Sequence, residues 1–377
     1  MRRLLRFILL KPVLWAVNKF SSRPDRKKIF KALSKLYAHI IRYPGKKGLV
    51  IPFEEHAGKF IIFSDQHKGR RNGADDFMMA ENNYLTALGY YSSNDFCYIN
   101  LGDSEELWEN NIRQVKKMNK VAFEAEKKFL DHNKYVKVYG NHDLFWNTSP
   151  LSSYHLNEMY GEKIRVYEGV VLKTVIGTPQ TVTCSDGIAS LTPANSPLTI
   201  FLTHGHQGDG QSDGNKFSKF FVAFIWAPLQ ALLRINPNTP AYNTEKKTLH
   251  NSIMFEWSAR KKNMLLVTGH THQPVFASLT LIEKLYKQFQ VAGKDKNAEQ
   301  LTSLLNEIKK REKDFTAVAI DYMGMKPSYF NSGCCCYSDG DITGIEIEDG
   351  SIRLIKWSSL KGREILEQEE LAKFVDR

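Results

Sequence analysis

The chain has 377 residues, of which 42% are apolar and 25% charged, and a formal net charge of +11. This composition excludes a disordered or fibrous protein and predicts one large globular domain with additions, or two domains. The five cysteines, at positions 97, 184 and 334–336, match neither a secreted disulfide scaffold nor a zinc knuckle, so a reducing, cytoplasmic compartment is expected.

The charge is uneven. Residues 1–47 hold 14 Lys or Arg and one acid, Asp25, for a net +13; with the whole chain at +11, residues 48–377 sum to −2. The opening "MRRLLRFILLKPVLWAVNKF" mixes Leu, Ile, Phe and Trp with Arg and Lys. Arg6 and Lys11 break its apolar stretch, which is too short to span a bilayer and lacks a cleavage site for a secretory signal. In "RKKIFKALSKLYAHIIRY", Ile29, Leu33, Leu36 and Ile40 recur at helical spacing, with Lys31 and Lys35 between them. Residues 1–47 therefore read as a basic amphipathic arm, suited to an anionic membrane surface or to packing on its own domain. Nucleic acid is a weaker partner, because no nucleic-acid module accompanies the charge.

Tyr43-Pro44-Gly45 marks the boundary to a domain over 48–377. Strand-like "KFIIFSDQH" is followed by helical "ADDFMMAENNYLTALGYY", then by strand and loop in "DFCYINLGDSEELW". Helical "VKKMNKVAFEAEKKFLDH" precedes "YVKVYGNHD", and "LTIFLTHGH" and "NMLLVTGHTH" repeat the strand–loop pattern. Strands alternating with helices predict a layered α/β fold. An apolar, aromatic insert lies within 210–260, and a charged helical hairpin is expected over 280–315. The chain ends in strands, with a Glu-Asp-Gly hairpin turn at 348–350.

Five strands thus run into polar loops: Asp65-x-His67, Gly102-Asp103, Gly140-Asn141-His142-Asp143, His204-Gly205-His206 and Gly269-His270-Thr271-His272. The gaps of 38, 38, 63 and 66 residues each suit crossover units, so the loops could meet at one edge of a sheet. Asp, Asn and His suit borderline divalent metals, and a carboxylate between two such ions can bridge them.

In this order the five motifs resemble those of the calcineurin-like metallophosphoesterase superfamily, over roughly residues 58–280 with terminal strands at 328–358. The resemblance implies a four-layer αββα sandwich and two divalent metal ions, with manganese favoured and iron or zinc as alternatives. It implies Asp65, His67 and His272 on the first ion, Asn141, His204 and His270 on the second, and Asp103 bridging them. His204 is preferred to His206 because it is the first His of its motif; His206 is then left to substrate binding. His142 would face the phosphoryl group and Asp143 would orient its imidazole.

"GDSEELW" and the apolar insert look like the branch that hydrolyses UDP-2,3-diacylglucosamine, which implies substrate contacts from Trp108, Phe220 and Phe224. That branch is shorter and commonly has Arg where this chain has His142. The expected activity is metal-dependent hydrolysis of a phosphate ester or pyrophosphate, on a lipid-linked substrate at a membrane surface. Phosphoprotein or nucleotide hydrolysis, or a scaffold without catalysis, are the alternatives. The run Cys334-Cys335-Cys336 is expected to be buried as small apolar residues.

Overall fold

The computed structural model describes residues 24–73, 75–175, 197–208, 244–279, 281–294, 298–311 and 327–375. The first half of the basic arm and most of the apolar insert, including Phe220 and Phe224, lie outside the described residues.

The elements alternate as the sequence predicts. Helix α1 (Arg26–Arg42) leads into β1 (Gly48–Glu54) and β2 (Phe60–Phe63). There follow α2 (Phe77–Ser93), β3 (Cys97–Leu101), α3 (Ile112–Met118), α4 (Lys120–Leu130) and β4 (Tyr135–Val138). Next come α5 (Phe145–Thr148), α6 (Ser152–Tyr160), β5 (Val166–Tyr167), β6 (Gly169–Val175) and β7 (Thr199–Thr203). Helix α7 (Thr244–Ala259), β8 (Met264–Thr268), the helices α8 (Leu281–Lys294) and α9 (Ala298–Arg311), and β9 (Tyr329–Asn331) precede β10 (Ile342–Glu348), β11 (Ser351–Ser358) and β12 (Gly362–Glu370).

The strands form two sheets. One has five strands in the order β1-β6-β7-β8-β9, and the other seven in the order β12-β11-β10-β2-β3-β4-β5. Strands β2, β3 and β4 pair in parallel, as do β7 and β8. Parallel neighbours send their C-terminal ends the same way, so the loops that follow them emerge together.

Three apolar clusters define the packing. Ile62, Ile99 and Val138 of the large sheet join Leu172, Ile200 and Val267 of the small sheet in one buried core. Residues of β2, β3 and β4 alternate faces, so Ile61, Phe63 and Tyr98 lie in a second cluster with Tyr84, Phe123 and Tyr160 of the helices. On the small sheet, Val171, Phe201 and Leu266 meet Ile29, Leu33, Leu36 and Ile40 of α1 and Trp257 of α7.

This last contact bears on the arm. Asp25 caps α1, accepting from Lys27 N at 2.9 Å and Lys28 N at 3.1 Å. Of the two alternatives for the apolar stripe, packing on the domain is the one seen: it is buried against the small sheet, while Lys27, Lys28, Lys31 and Lys35 remain exposed. Residues 26–42 therefore pack on the folded body, with their lysines facing solvent. Among the described residues, no helix is long and apolar enough to cross a membrane.

The expected hairpins form. α8 packs on α9 through Leu285, Phe289, Leu304 and Ile308. β10 and β11 pair from Glu348↔Ser351, leaving Asp349 and Gly350 at φ 50° and 67° in the two-residue turn. Positive φ at both positions suits the twist of a tight hairpin.

Candidate metal centre

The five loops do converge, but not at the edge of one sheet. The loops after β2, β3 and β4 leave the large sheet, and those after β7 and β8 leave the small one. Backbone pairing continues beyond the strands: Asp65 N donates to Gly102 O at 3.0 Å and His67 N to Asp103 O at 2.9 Å. The two sheets are joined here by side chains. His270 N donates to Asp65 Oδ2 at 3.0 Å, and His204 Nδ1 donates to the Leu101 carbonyl at 2.9 Å.

The backbone at these loops is unusual. Asp65, His67, Asp103, His270 and His272 have φ of 55°, 50°, 51°, 69° and 54°. A non-glycine residue in the left-handed region costs about 1–3 kcal/mol and persists where its surroundings fix it, commonly at functional sites. Glycine serves where the loops touch. Gly102 has φ 94°, and a Cβ there would come within 2.8 Å of Gly140 N and of the His204 ring. A Cβ on Gly269 would collide with Ser64 and with the Asp65 carboxylate.

Two groups of donors result. In the first, His67 Nε2 lies 3.2 Å from His272 Nε2, and His272 Nε2 lies 3.1 Å from Asp65 Oδ1. His67 Nδ1 donates to Glu106 Oε2 at 3.0 Å. A carboxylate can only accept, so the other ring nitrogen presents its lone pair toward His272, Asp65 and Asp103 when the ring is neutral. In the second group, the Leu101 carbonyl likewise fixes a proton on His204 Nδ1. That leaves the Nε2 lone pair 3.1 Å from Asp103 Oδ2. Lone pairs facing carboxylate oxygens need a proton or a cation between them.

The electrostatics agree with that need. Burial alone would lower the His67 pKa, but contact with Glu106 and the charges of Asp103 and Asp65 override it and push it up to about 10. His204 rises to about 9 against burial because Asp103 and Asp65 face it. His270 moves the opposite way, held well below its ordinary value by burial and by neighbouring imidazoles. Asn141 Oδ1 and His206 Nδ1 are buried without hydrogen-bond partners. An array of buried N and O donors with unmet lone pairs fits divalent cations.

Three sets bring their ligand atoms within 4.8 Å of one another: Asp103, His204 and His270; His67, Asp103 and His142; and His67, His272 and Cys336. These buried groups could hold metal ions. The first set contains His204, and Asp103 belongs to two of the three. Cys334, Cys335 and Cys336 are buried as expected, yet Cys336 Sγ also sits 3.6 Å from His272 Nδ1.

The loop Gly140–Asp143 brings a correction. Asp143 does not orient His142. Its Oδ1 accepts from Gly140 N at 2.6 Å and its Oδ2 from Ser104 N at 2.9 Å. It therefore ties two loops together, because an Asp two or three residues from a tight turn bonds local backbone N–H groups. Glu106 lies beside His142 instead, with Oε2 2.7 Å from Nδ1 at an ion-pair contact that lacks directed hydrogen-bond geometry. Trp108 stacks on His142, with ring centroids 4.7 Å apart at 19°.

Sequence reasoning also missed the support behind the loops. Glu105 receives Lys137 Nζ at 2.9 Å and Trp146 Nε1 at 2.7 Å, while Lys68 Nζ is 3.4 Å from Glu105 and pairs with Glu126. Lys68, Glu105 and Glu126 are fully buried. Asn331 Nδ2 donates to the Gly269 carbonyl at 2.6 Å and holds the last loop to β9. Lys68 and Glu105 adjoin the D-x-H and G-D motifs, which is the only signal that could have found them.

No family model matches the chain, and a search of curated proteins gives no match either.

Proposed function

We propose that this protein is a calcineurin-like metallophosphoesterase that uses two divalent ions, with manganese favoured, to hydrolyse a phosphate ester or pyrophosphate. The observation that carries the reading is the convergence of Asp65, His67, Asp103, His204, His270 and His272 from four strand ends, with five of these residues at positive φ. The packing of helices, sheet, sheet and helices through three clusters supports a four-layer sandwich.

Asp65, His67 and His272 would hold one ion, Asn141, His204 and His270 the other, with Asp103 shared. Two bound ions supply Lewis acidity to phosphoryl oxygens and lower the pKa of the attacking water. His142, pressed between Trp108 and the Glu106 carboxylate, donates a proton to the phosphoryl or leaving oxygen. Glu106 keeps that imidazole charged: burial opposes protonation, and the charges of Glu106 and Asp103 raise its pKa. We take the substrate to be amphiphilic, like a UDP-diacylglucosamine, met at an anionic membrane surface. The exposed lysines of α1 support this as a basic face.

The test compares manganese-dependent hydrolysis of UDP-2,3-diacylglucosamine and bis-p-nitrophenyl phosphate, in wild type and Asp103→Asn. Loss of both activities in the variant is expected. Hydrolysis of the generic diester alone removes the lipid substrate, and wild-type activity in Asp103→Asn overturns the metal site.

A further inference from the structure

Helix α7 belongs to none of the five motifs, yet it is fixed directly over one of them. Asn251 Nδ2 donates to Gln273 Oε1 at 3.0 Å, and Asn251 Oδ1 accepts from Thr271 Oγ1 at 3.2 Å and Tyr329 OH at 2.9 Å. Three hydrogen bonds from one side chain therefore clamp the helix across the G-H-T-H loop and β9. The neighbouring His250 is carried into the site by that clamp. It is 3% exposed, and its ring lies 5.2 Å from the His270 ring at 60°.

Lys247 stands one turn before His250 and Asn251, and residues three and four apart share a helix face. It is half-buried. Burial draws the pKa of its ammonium down to about 8. Helix α7 thus carries a cationic side chain on the same face as an imidazole that reaches the His270 ring.

We propose that Lys247 and His250 form an anion-binding wall that holds the phosphoryl oxygens of the substrate. This rests on the phosphoesterase reading and adds to it: the ligand group is a phosphate dianion or a pyrophosphate, gripped by α7 as well as by the ions. Neither residue belongs to the three donor sets whose ligand atoms lie together.

Inorganic phosphate is the probe. Its affinity for the manganese-loaded full chain is measured by calorimetry in wild type, Lys247→Met and His250→Asn, with bound manganese counted by mass spectrometry. Loss of one charge-assisted hydrogen bond weakens phosphate by about tenfold or more, with manganese content unchanged. Phosphate affinity within twofold of wild type in both variants overturns the proposal. Loss of one manganese in His250→Asn makes that residue an ion ligand and overturns its place in the wall. Lys247→Met, at a half-buried surface position, keeps the test decisive should His250→Asn fail to fold. A wild type that binds no manganese and cleaves no diester refutes the phosphoesterase reading itself, an outcome separate from the others.

Discussion

Glu106 and Asp143 offer a direct test of how the imidazoles are held. In Glu106→Gln the shape is kept and the charge is lost. One oxygen, Oε2, meets His67 Nδ1 at 3.0 Å and His142 Nδ1 at 2.7 Å, so one substitution weakens two contacts. Carboxylates that orient metal-ligating His are worth about 10–100-fold in metal affinity or activity, or about 1.4–2.7 kcal/mol. Glu106→Gln is therefore expected to weaken manganese binding and turnover by that factor. Asp143→Asn should act differently. Its two oxygens accept from two separate backbone N–H groups, and an amide can accept from only one while turning an NH2 group against the other. The expected cost is about 1–3 kcal/mol of stability, seen as an earlier urea midpoint. Calorimetric titration with manganese, hydrolysis rates and urea unfolding on both variants separate the two roles. Unchanged binding and turnover in Glu106→Gln, with a tenfold loss of turnover and normal stability in Asp143→Asn, would refute the assignment.

Two further outcomes concern the folded body. Glu105 is held down to about 2, since burial opposes ionisation but Lys137 and Lys68 more than offset it. A depressed acid stabilises the fold above its unfolded pKa of about 4.5, and that contribution of about 3 kcal/mol is lost as pH falls toward 2. The stability gap between wild type and Glu105→Gln, measured by urea unfolding, should shrink over that window, and a constant gap would refute the pairing. Leu33→Ala removes a fully buried side chain from the α1–sheet contact and should cost about 2–5 kcal/mol. A cost under about 1 kcal/mol would show that α1 is not integral to the fold.

The rhythm of the fold was legible because each motif strand is short, apolar and cut off by polar residues. β2, β3, β4, β7 and β8 all appear where "FIIF", "CYINL", "YVKV", "TIFLT" and "MLLVT" stand. The Asp349-Gly350 turn was legible because its two residues tolerate positive φ. Sheet membership was not, since spacing along the chain says nothing of which strands pair. Glu106 was passed over because the orienting role was carried to Asp143 by the resemblance, whereas the tight loop turns the Asp143 carboxylate to backbone N–H groups. The partner came instead from thirty-odd residues upstream, across a β3–β4 loop contact at Leu107 N to His142 O of 3.2 Å. His250 was invisible for a similar reason, since nothing in "TLHNSIMFEW" marks the face that α7 turns toward the site. The apolar stripe of α1 was legible, but whether lipid or the protein's own sheet covers it was not, because a sequence cannot say which apolar surface a helix meets.

The bridge between the two sheets has a thermodynamic consequence. Asp65 and Asp103 ride on one sheet, and His204, His270 and His272 on the other. Any ion gripped by both sets makes sheet docking and ion occupancy linked equilibria. At a free ion concentration one hundred times its dissociation constant, such a bond adds about 2.7 kcal/mol to the docked state. Local opening of either sheet alone would release the ions, so loading would raise the cost of parting two sheets that already share one apolar core. Chelation would then be a structural event as much as a chemical one.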